Sequence, residues 1–248
     1  MKKVLVTGAS AGIGRATAKL FAERGYQVLA VARRIEKLES LRAERSSVEI
    51  ASVDLSSETA IEAFYETHKD WLKNVDVLVN NAGLALGRES FQEYLWSDVE
   101  KMFQTNVMGL LSLIRKIVPN MIAQKRGHLI NIGSVAGDVG YKGGTVYCAT
   151  KAAVHMIAES LRFDLGGTNV RVSNIAPGRV ETDFSVVRFK GDKEAADKVY
   201  EGYRPLKSED LANTILWIAE QPEHVNIQNV TILGTDQPSA TTLDPFKG

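Results

Sequence analysis

The 248-residue sequence predicts an α/β fold, a doubly wound seven-stranded parallel sheet with helices on both faces, in a single domain spanning 1–248. Seven short runs rich in β-branched residues, at 4–7, 28–32, 48–53, 77–80, 129–132, 170–175 and 230–233, read as strands. They are continuously apolar instead of alternating, which marks strands covered on both faces, as a parallel sheet requires. Amphipathic stretches separate them. Ala16, Leu20 and Phe21 recur at helical spacing after the first run, and Val107, Leu110, Leu111, Ile114, Val118, Met121 and Ile122 form a long apolar stripe. Residues 147–165 read as another helix, and a last one begins near Ser208. Strands alternating with helices imply right-handed crossovers and ligand sites at the carboxyl ends of the strands.

A composition of 44% hydrophobic and 24% charged residues suits a globular chain with a substantial core. Thirty basic residues balance thirty acidic ones, so no global field draws in nucleic acid or an anionic membrane. Cys148 is the only cysteine, which excludes an intramolecular disulfide and fits a reducing, cytoplasmic setting. The apolar stretch after Met1-Lys2-Lys3 ends at once in Thr7-Gly8 and reads as a strand, not a signal peptide. The stretch around 110–122 is broken by Arg115, Lys116 and Pro119, so no membrane span is expected and the protein reads as soluble. No Pro-, Gly- or Ser-rich linker and no internal repeat divides the chain. Residues 184–207 resist assignment and are a candidate substrate lid.

The first strand ends in Thr7-Gly8-Ala9-Ser10-Ala11-Gly12-Ile13-Gly14 and runs straight into a helix. Glycines permit a tight turn and close backbone approach, and the free N–H groups of a helix start attract phosphate, so Gly8, Ser10, Gly12, Ile13 and Gly14 are candidates to hold the pyrophosphate of a dinucleotide in a Rossmann-type site. A site for NAD places a carboxylate about 20 residues further on. Here the second strand ends in Arg33-Arg34. Paired guanidinium donors suit a 2′-phosphate, so the cofactor implied is NADP; solvated turn arginines are the alternative.

Tyr147 and Lys151 stand four apart on the helix over 147–165 and share a face. A phenol of pKa about 10 is a poor base near neutrality, and a nearby ammonium could lower it. Ser134 lies thirteen residues earlier, just past the fifth strand, where its hydroxyl would bond and stabilise the same substrate oxygen.

Together the Thr7 to Gly14 turn, Asn80-Asn81-Ala82-Gly83, Asn106, Ser134, Tyr147-x-x-x-Lys151 and Pro177-Gly178, in this order over most of the chain, resemble the short-chain dehydrogenase/reductase family. The resemblance implies hydride transfer at a nicotinamide, with Tyr147 exchanging the substrate proton and Lys151 also bonding the nicotinamide ribose. It implies an adenine-edge contact by Asp54 with Leu55, for which a helix N-cap is the competing reading of Asp54. Asn80, Asn81, Ala82 and Gly83 would line the cofactor cleft, though a structural turn explains Gly83 equally well; Asn106 would sit on a water-linked proton path to Lys151 unless it is purely structural, and Pro177, Gly178, Val180 and Thr182 would lie beside the nicotinamide. The segments 80–87, 141–147 and 184–192 look like the NADP-dependent 3-hydroxy acid dehydrogenase branch, which implies serine, allo-threonine and related 3-hydroxy acids as substrates and a homotetramer.

A buried substrate carboxylate needs a cationic partner, and Arg188, inside the expected lid among Val186, Val187 and Phe189, is the candidate; a solvated lid arginine or one bridging subunits is the alternative. Lys142 is a second basic residue near Tyr147, with no role assigned by pattern. A carbonyl reductase for uncharged ketones and a non-catalytic NADPH-binding sensor are the rival functions. Cys148 reads as a small buried filler, Trp71, Trp96 and Trp217 as core or interface packing, and the tail over 234–248 as a cover for a neighbouring subunit. His68, His128, His155 and His224 lack ligand spacing, and no metal is expected.

Overall fold

A computed structural model describes residues 1–246; Lys247 and Gly248, the last two positions of the expected tail, lie outside the described residues. One parallel sheet of seven strands runs through the molecule: β1 (Lys3–Thr7), β2 (Gln27–Ala32), β3 (Val48–Ser52), β4 (Val77–Asn80), β5 (Gly127–Ile132), β6 (Val170–Pro177) and β7 (Asn229–Ile232). Their order across the sheet is β3-β2-β1-β4-β5-β6-β7. The chain therefore starts in the middle, winds outward to β3, then returns to β4 and winds the other way. The switch lies between β1 and β4, which pair in parallel through Val4–Val77, Leu5–Leu78 and Val6–Val79.

The helices are α1 (Gly12–Glu23), α2 (Ile35–Glu44), α3 (Glu58–Thr67), α4 (Lys69–Leu72), α5 (Trp96–Phe103), α6 (Gly109–Gln124), α7 (Thr145–Asp164), α8 (Phe184–Arg188), α9 (Lys193–Asp197) and α10 (Ser208–Ala219). Two apolar layers result, one on each face of the sheet. On one face Val4, Val6 and Val28 pack with Ala18 and Phe21 of α1 and Leu211 and Ile215 of α10. On the other, Leu5, Leu29 and Leu78 pack with Leu113 and Ile117 of α6 and Val154 of α7. Alternate residues of one strand thus feed opposite layers, as pleating dictates. The central strands are buried on both faces, as expected. The edge strand β7 instead alternates exposed with half-buried positions, and β3 exposes Glu49 and Ser52, because only one neighbour and less helix cover them.

Two stretches differ from the sequence reading. The apolar stripe from Leu110 to Ile122 lies in α6 as expected, but Val107 belongs to a π-helical turn, Gln104–Met108, which joins α5 to α6 and holds the buried Asn106. Residues 184–207, which resist assignment from the sequence, contain α8 and α9 followed by a 3₁₀ turn, Lys198–Tyr200. Trp96 and Trp217 are exposed and Trp71 only half-buried, so none belongs to the core. Cys148 is half-buried at the rim of a small cluster around Tyr147, not sealed inside. Asp236 and Gln237 of the tail are buried within their own chain, Asp236 by an ion pair with Arg204.

Candidate active site

At the carboxyl ends of the strands lies a cleft of about 510 Å³, within the range that holds small ligands and cofactors. Gly8 (φ +65°) and Gly12 (φ +54°) take the left-handed backbone that only glycine adopts without strain, and their turn delivers α1 to the cleft. No side chain caps the start of α1 and its first turn holds no acidic residue, so its N–H groups face the cleft unanswered. Gly14 does not line the cleft. A Cβ there would meet Asn81 Nδ2 at 2.4 Å and Gly8 O at 2.6 Å, so this glycine lets the helix pack against the β1 and β4 loops.

Those loops are tied together by Thr7. Its hydroxyl accepts from the N–H groups of Asn81 and Ala82, while Asn81 Nδ2 donates to Thr7 O at 2.9 Å. Asn81, Ala82 and Gly83 consequently line the cleft, whereas Asn80 is buried and bonds Asn131. Arg33 and Arg34 sit at the end of the cleft beyond Ala32, with Arg34 donating to Ser10 Oγ at 3.0 Å. Asp54 and Leu55 line the same end. Asp54 is not a helix cap: its carboxylate accepts from Ser56 N and Oγ, and Ser57 caps α3. These hydrogen bonds hold the Asp54 carboxyl below its usual pKa against the opposing effect of burial, which is the largest single influence. Pro177, Gly178, Val180 and Thr182 line the opposite wall, with Thr182 against Gly12.

This architecture fits NADP. The uncapped helix start and the positive-φ glycines offer the phosphate cradle, and the two arginines, with no acid at the end of β2, suit a 2′-phosphate. Gly83 supplies the close approach: its Cα passes so near Lys151 that a Cβ would lie 3.5 Å from Nζ.

Tyr147 and Lys151 project from α7 into the cleft floor, both nearly fully buried. Ser134 follows β5, its extended backbone starting the short turn Val135–Gly137, which its own Oγ caps through Ala136 N at 3.1 Å. Burial pushes the Tyr147 phenol well above its ordinary value, and Tyr141 adds to the rise; the hydrogen bond with Ser134 and the charge of Arg188 pull it back. Lys151 is not among the groups that lower it. Its Nζ donates to Ile132 O at 2.8 Å and stands 5.9 Å from the Tyr147 ring centre, and burial alone brings its own pKa down to about 8. Asn106 lies beneath, outside the cleft lining: Oδ1 accepts from Leu84 N, and Nδ2 donates to Leu84 O and Thr150 Oγ1. A Cβ on Gly83 would touch both Asn106 Oδ1 and Lys151 Nζ, so the amide braces the wall that faces the lysine.

Arg188, at the end of α8, reaches across to this centre. Its guanidinium lies 5.6 Å from the Tyr147 ring and 5.4 Å from that of Tyr141, and it donates from Nε to Gly87 O, from Nη1 to Tyr141 OH and from Nη2 to Gly143 O. Lys142, in contrast, is exposed and does not line the cleft. Sequence reasoning missed Arg88, Tyr141 and Arg179 in the lining, along with Gln237, Ala240 and Thr241 of the tail, which close over their own chain's cleft. Tyr141 could have been found six residues before Tyr147; the tail carries no comparable signal. Among the described residues no group of three or more His, Cys, Asp or Glu side chains could hold a metal ion, and no helix is long and apolar enough to cross a membrane.

A parallel sheet with a phosphate cradle at its switch point, opening onto a Ser–Tyr–Lys set, defines a nicotinamide-dependent oxidoreductase. The family model described as short chain dehydrogenase matches residues 2–193. The chain is 46% identical over 239 residues to an NADP-dependent 3-hydroxy acid dehydrogenase (YdfG) of Salmonella typhi, covering 96% of each, and 41% identical over 238 residues to a serine 3-dehydrogenase of Agrobacterium fabrum, covering 96% and 95%. A solved structure described as the closed form of serine dehydrogenase complexed with NADP+ superposes with a TM-score of 0.93 at 42% identity, over 97% of this chain and 98% of that one. The protein belongs to the short-chain dehydrogenase/reductase family.

Proposed function

We propose that this chain is an NADP-dependent dehydrogenase of small 3-hydroxy acids, of the serine, allo-threonine and 3-hydroxypropionate type, or a reductase of the corresponding oxo acids. The observation that carries the reading is Arg188: a guanidinium beside the ring of Tyr147, in a cleft wall where its hydrogen bonds go to neutral oxygens and a reductase of neutral ketones would bring it no counter-charge. An arginine has five N–H donors, and three nitrogens here bond protein oxygens once each, so two N–H groups remain for a carboxylate. Of the proteins that share the chain's length, one relative is named for NADP and 3-hydroxy acids, another for serine, and the solved neighbour is a serine dehydrogenase complexed with NADP+, which supports the same substrate class.

Bound NADP supplies the two-electron hydride acceptor or donor. The chain's residues do the rest. Ser134 and Tyr147 hold the substrate oxygen, and Tyr147 takes or gives its proton. Lys151 keeps positive charge near that exchange and bonds the nicotinamide ribose. Gly8, Ser10, Gly12, Ile13, Arg33, Arg34, Asp54, Leu55, Asn81, Ala82, Gly83, Pro177, Gly178, Val180 and Thr182 form the cofactor's walls, with Asn106 bracing Gly83. Residues 184–207 act as a lid, clasped to the loop after β4 by Arg188 and by Gly87 N donating to Arg188 O. Exposed Trp96 and Phe103 on α5, Leu111 on α6, and Met156 and Phe163 on α7 support a homotetramer that would pair through these helices, which sedimentation tests.

The deciding assay follows NADP and NAD reduction across 3-hydroxy acids and chain-matched alcohols. Preference for acids with NADP by at least about tenfold is expected, a difference of about 1.4 kcal/mol. Equal turnover of uncharged alcohols overturns the reading.

A further inference from the structure

Arg88, in the loop after β4, lines the mouth of the cleft. Its guanidinium lies 5.8 Å from the Tyr141 ring, the same ring that Arg188 approaches at 5.4 Å. The two arginines thus share one aromatic side chain, but their situations differ. The nitrogens of Arg188 are engaged with Gly87, Tyr141 and Gly143. Among the described residues no acceptor and no carboxylate pairs with the Arg88 side chain. Glu89, next in the chain, folds back over Gly87, where a Cβ would meet its Oε2, and its charge acts on Tyr94 and Lys190.

The nearby charges are of like sign. After burial, the strongest influence lowering the pKa of Arg88 is Arg188, with Arg179 also acting in that direction. Three guanidinium groups gathered at one cleft without a counter-anion repel one another, and an anion placed between them relieves that repulsion. A guanidinium with all its donors open also offers a planar fork matched to a carboxylate or a phosphonate. On the acid-dehydrogenase reading, one carboxylate beside Tyr147 would meet Arg188. Arg88 stands one aromatic ring further out and answers a different group.

We propose that Arg88 is a specificity-determining residue that binds a second anionic group of the substrate, so that the enzyme favours 3-hydroxy acids carrying an anion on each side of the carbinol carbon. This rests on the acid-dehydrogenase reading and narrows it. The chemistry recognised is the second anion, which a carboxylate or a phosphonate can supply.

The test compares kcat/KM for 3-hydroxybutyrate, for 3-hydroxyglutarate, in which a carboxymethyl group replaces the methyl, and for the analogue whose second carboxylate is a phosphonate. In the wild type the dianionic compounds are favoured about tenfold or more. In Arg88→Met that ratio falls toward one, chiefly through KM, and Arg88→Lys restores part of it. A larger ratio for the phosphonate or for the dicarboxylate identifies the anion, and either result upholds the proposal. Oxidation of 3-hydroxybutyrate without preference for the dianions, or an equal loss on all three substrates in Arg88→Met, overturns the assignment of Arg88 alone. Failure to oxidise any of the three while neutral alcohols react overturns the acid-dehydrogenase reading with it.

Discussion

Lys151 donates its ammonium proton to the carbonyl of Ile132, two residues before Ser134, and stands 5.9 Å from the ring of Tyr147. One lysine thus ties the end of β5, which presents Ser134, to the helix that presents Tyr147. The phenol itself is left high by burial, so in this state it is a protonated donor awaiting a substrate oxygen. Tyr147→Phe keeps the wall and the Lys151–Ile132 bond but removes that donor. Turnover should fall on the order of a hundredfold or more, with NADP affinity by fluorescence titration changed less than about threefold. A purified variant retaining near-normal turnover rejects the assignment.

Arg33 and Arg34 stand where an NAD site carries an acid, and Arg33 also lies close enough to Asp54 to lower its pKa. Arg33→Asp puts a carboxylate near the 2′ position, repelling a phosphate and accepting from a free ribose hydroxyl. The ratio of kcat/KM for NADP over NAD should fall by at least about tenfold. A wild type that already uses both cofactors equally rejects the role given to these arginines.

Those two sites were legible in the sequence for a physical reason. The glycine turn, the terminal arginines of β2 and the Tyr-x-x-x-Lys spacing are local features, set by backbone freedom and helix period. The sheet was legible because buried parallel strands are uninterrupted apolar runs; the edge strands β3 and β7 departed from that pattern because helices cover them incompletely. What could not be read was set by distance in the chain. Arg88 comes over Tyr141 from the β4 loop, and Gln237 of the tail packs on Gly178 and accepts from Arg179 N, and nothing local to each residue signals those meetings. The π-turn at Asn106 was hidden because it falls at the start of the apolar stripe, where Val107 still fits the helical spacing.

His128 on β5 gives a prediction about stability. It is buried with Nε2 at 2.8 Å from Ser173 Oγ and with Nδ1 unpartnered, and burial, aided by the charges of Arg171 and Lys2, lowers its pKa to about 3. Above pH about 6.5 the ring is neutral in both folded and unfolded chains, and its contribution is complete. Between about 6.5 and about 3 the unfolded chain binds a proton that the folded one refuses, so stability declines as pH falls, by up to about 1.4 kcal/mol per pH unit from this group. His128→Leu should flatten the fall in urea midpoint measured from pH 6.5 to 4.5. An unchanged slope assigns the acid sensitivity to other groups.

Arg188 yields the prediction that bears most directly on substrate. Its guanidinium has two tasks in the structure. It clasps α8 to Gly87, Tyr141 and Gly143, and it presents charge to the Tyr147 ring. Arg188→Ala removes both, so a loss of activity alone would not distinguish a broken lid from a missing carboxylate partner. The two tasks separate by substrate. Losing the clasp misplaces every substrate, whereas losing the charge penalises only those with a carboxylate, because a desolvated carboxylate without a cation is strongly disfavoured. If Arg188 anchors the acid, kcat/KM for serine should fall about 30-fold or more, corresponding to about 2 kcal/mol, while kcat/KM for an accepted neutral alcohol falls several-fold at most. Arg188→Lys should recover part of the serine activity, since a point charge replaces the fork without its paired geometry. Equal losses on serine and on the alcohol, with no recovery in Arg188→Lys, would confine Arg188 to holding the lid.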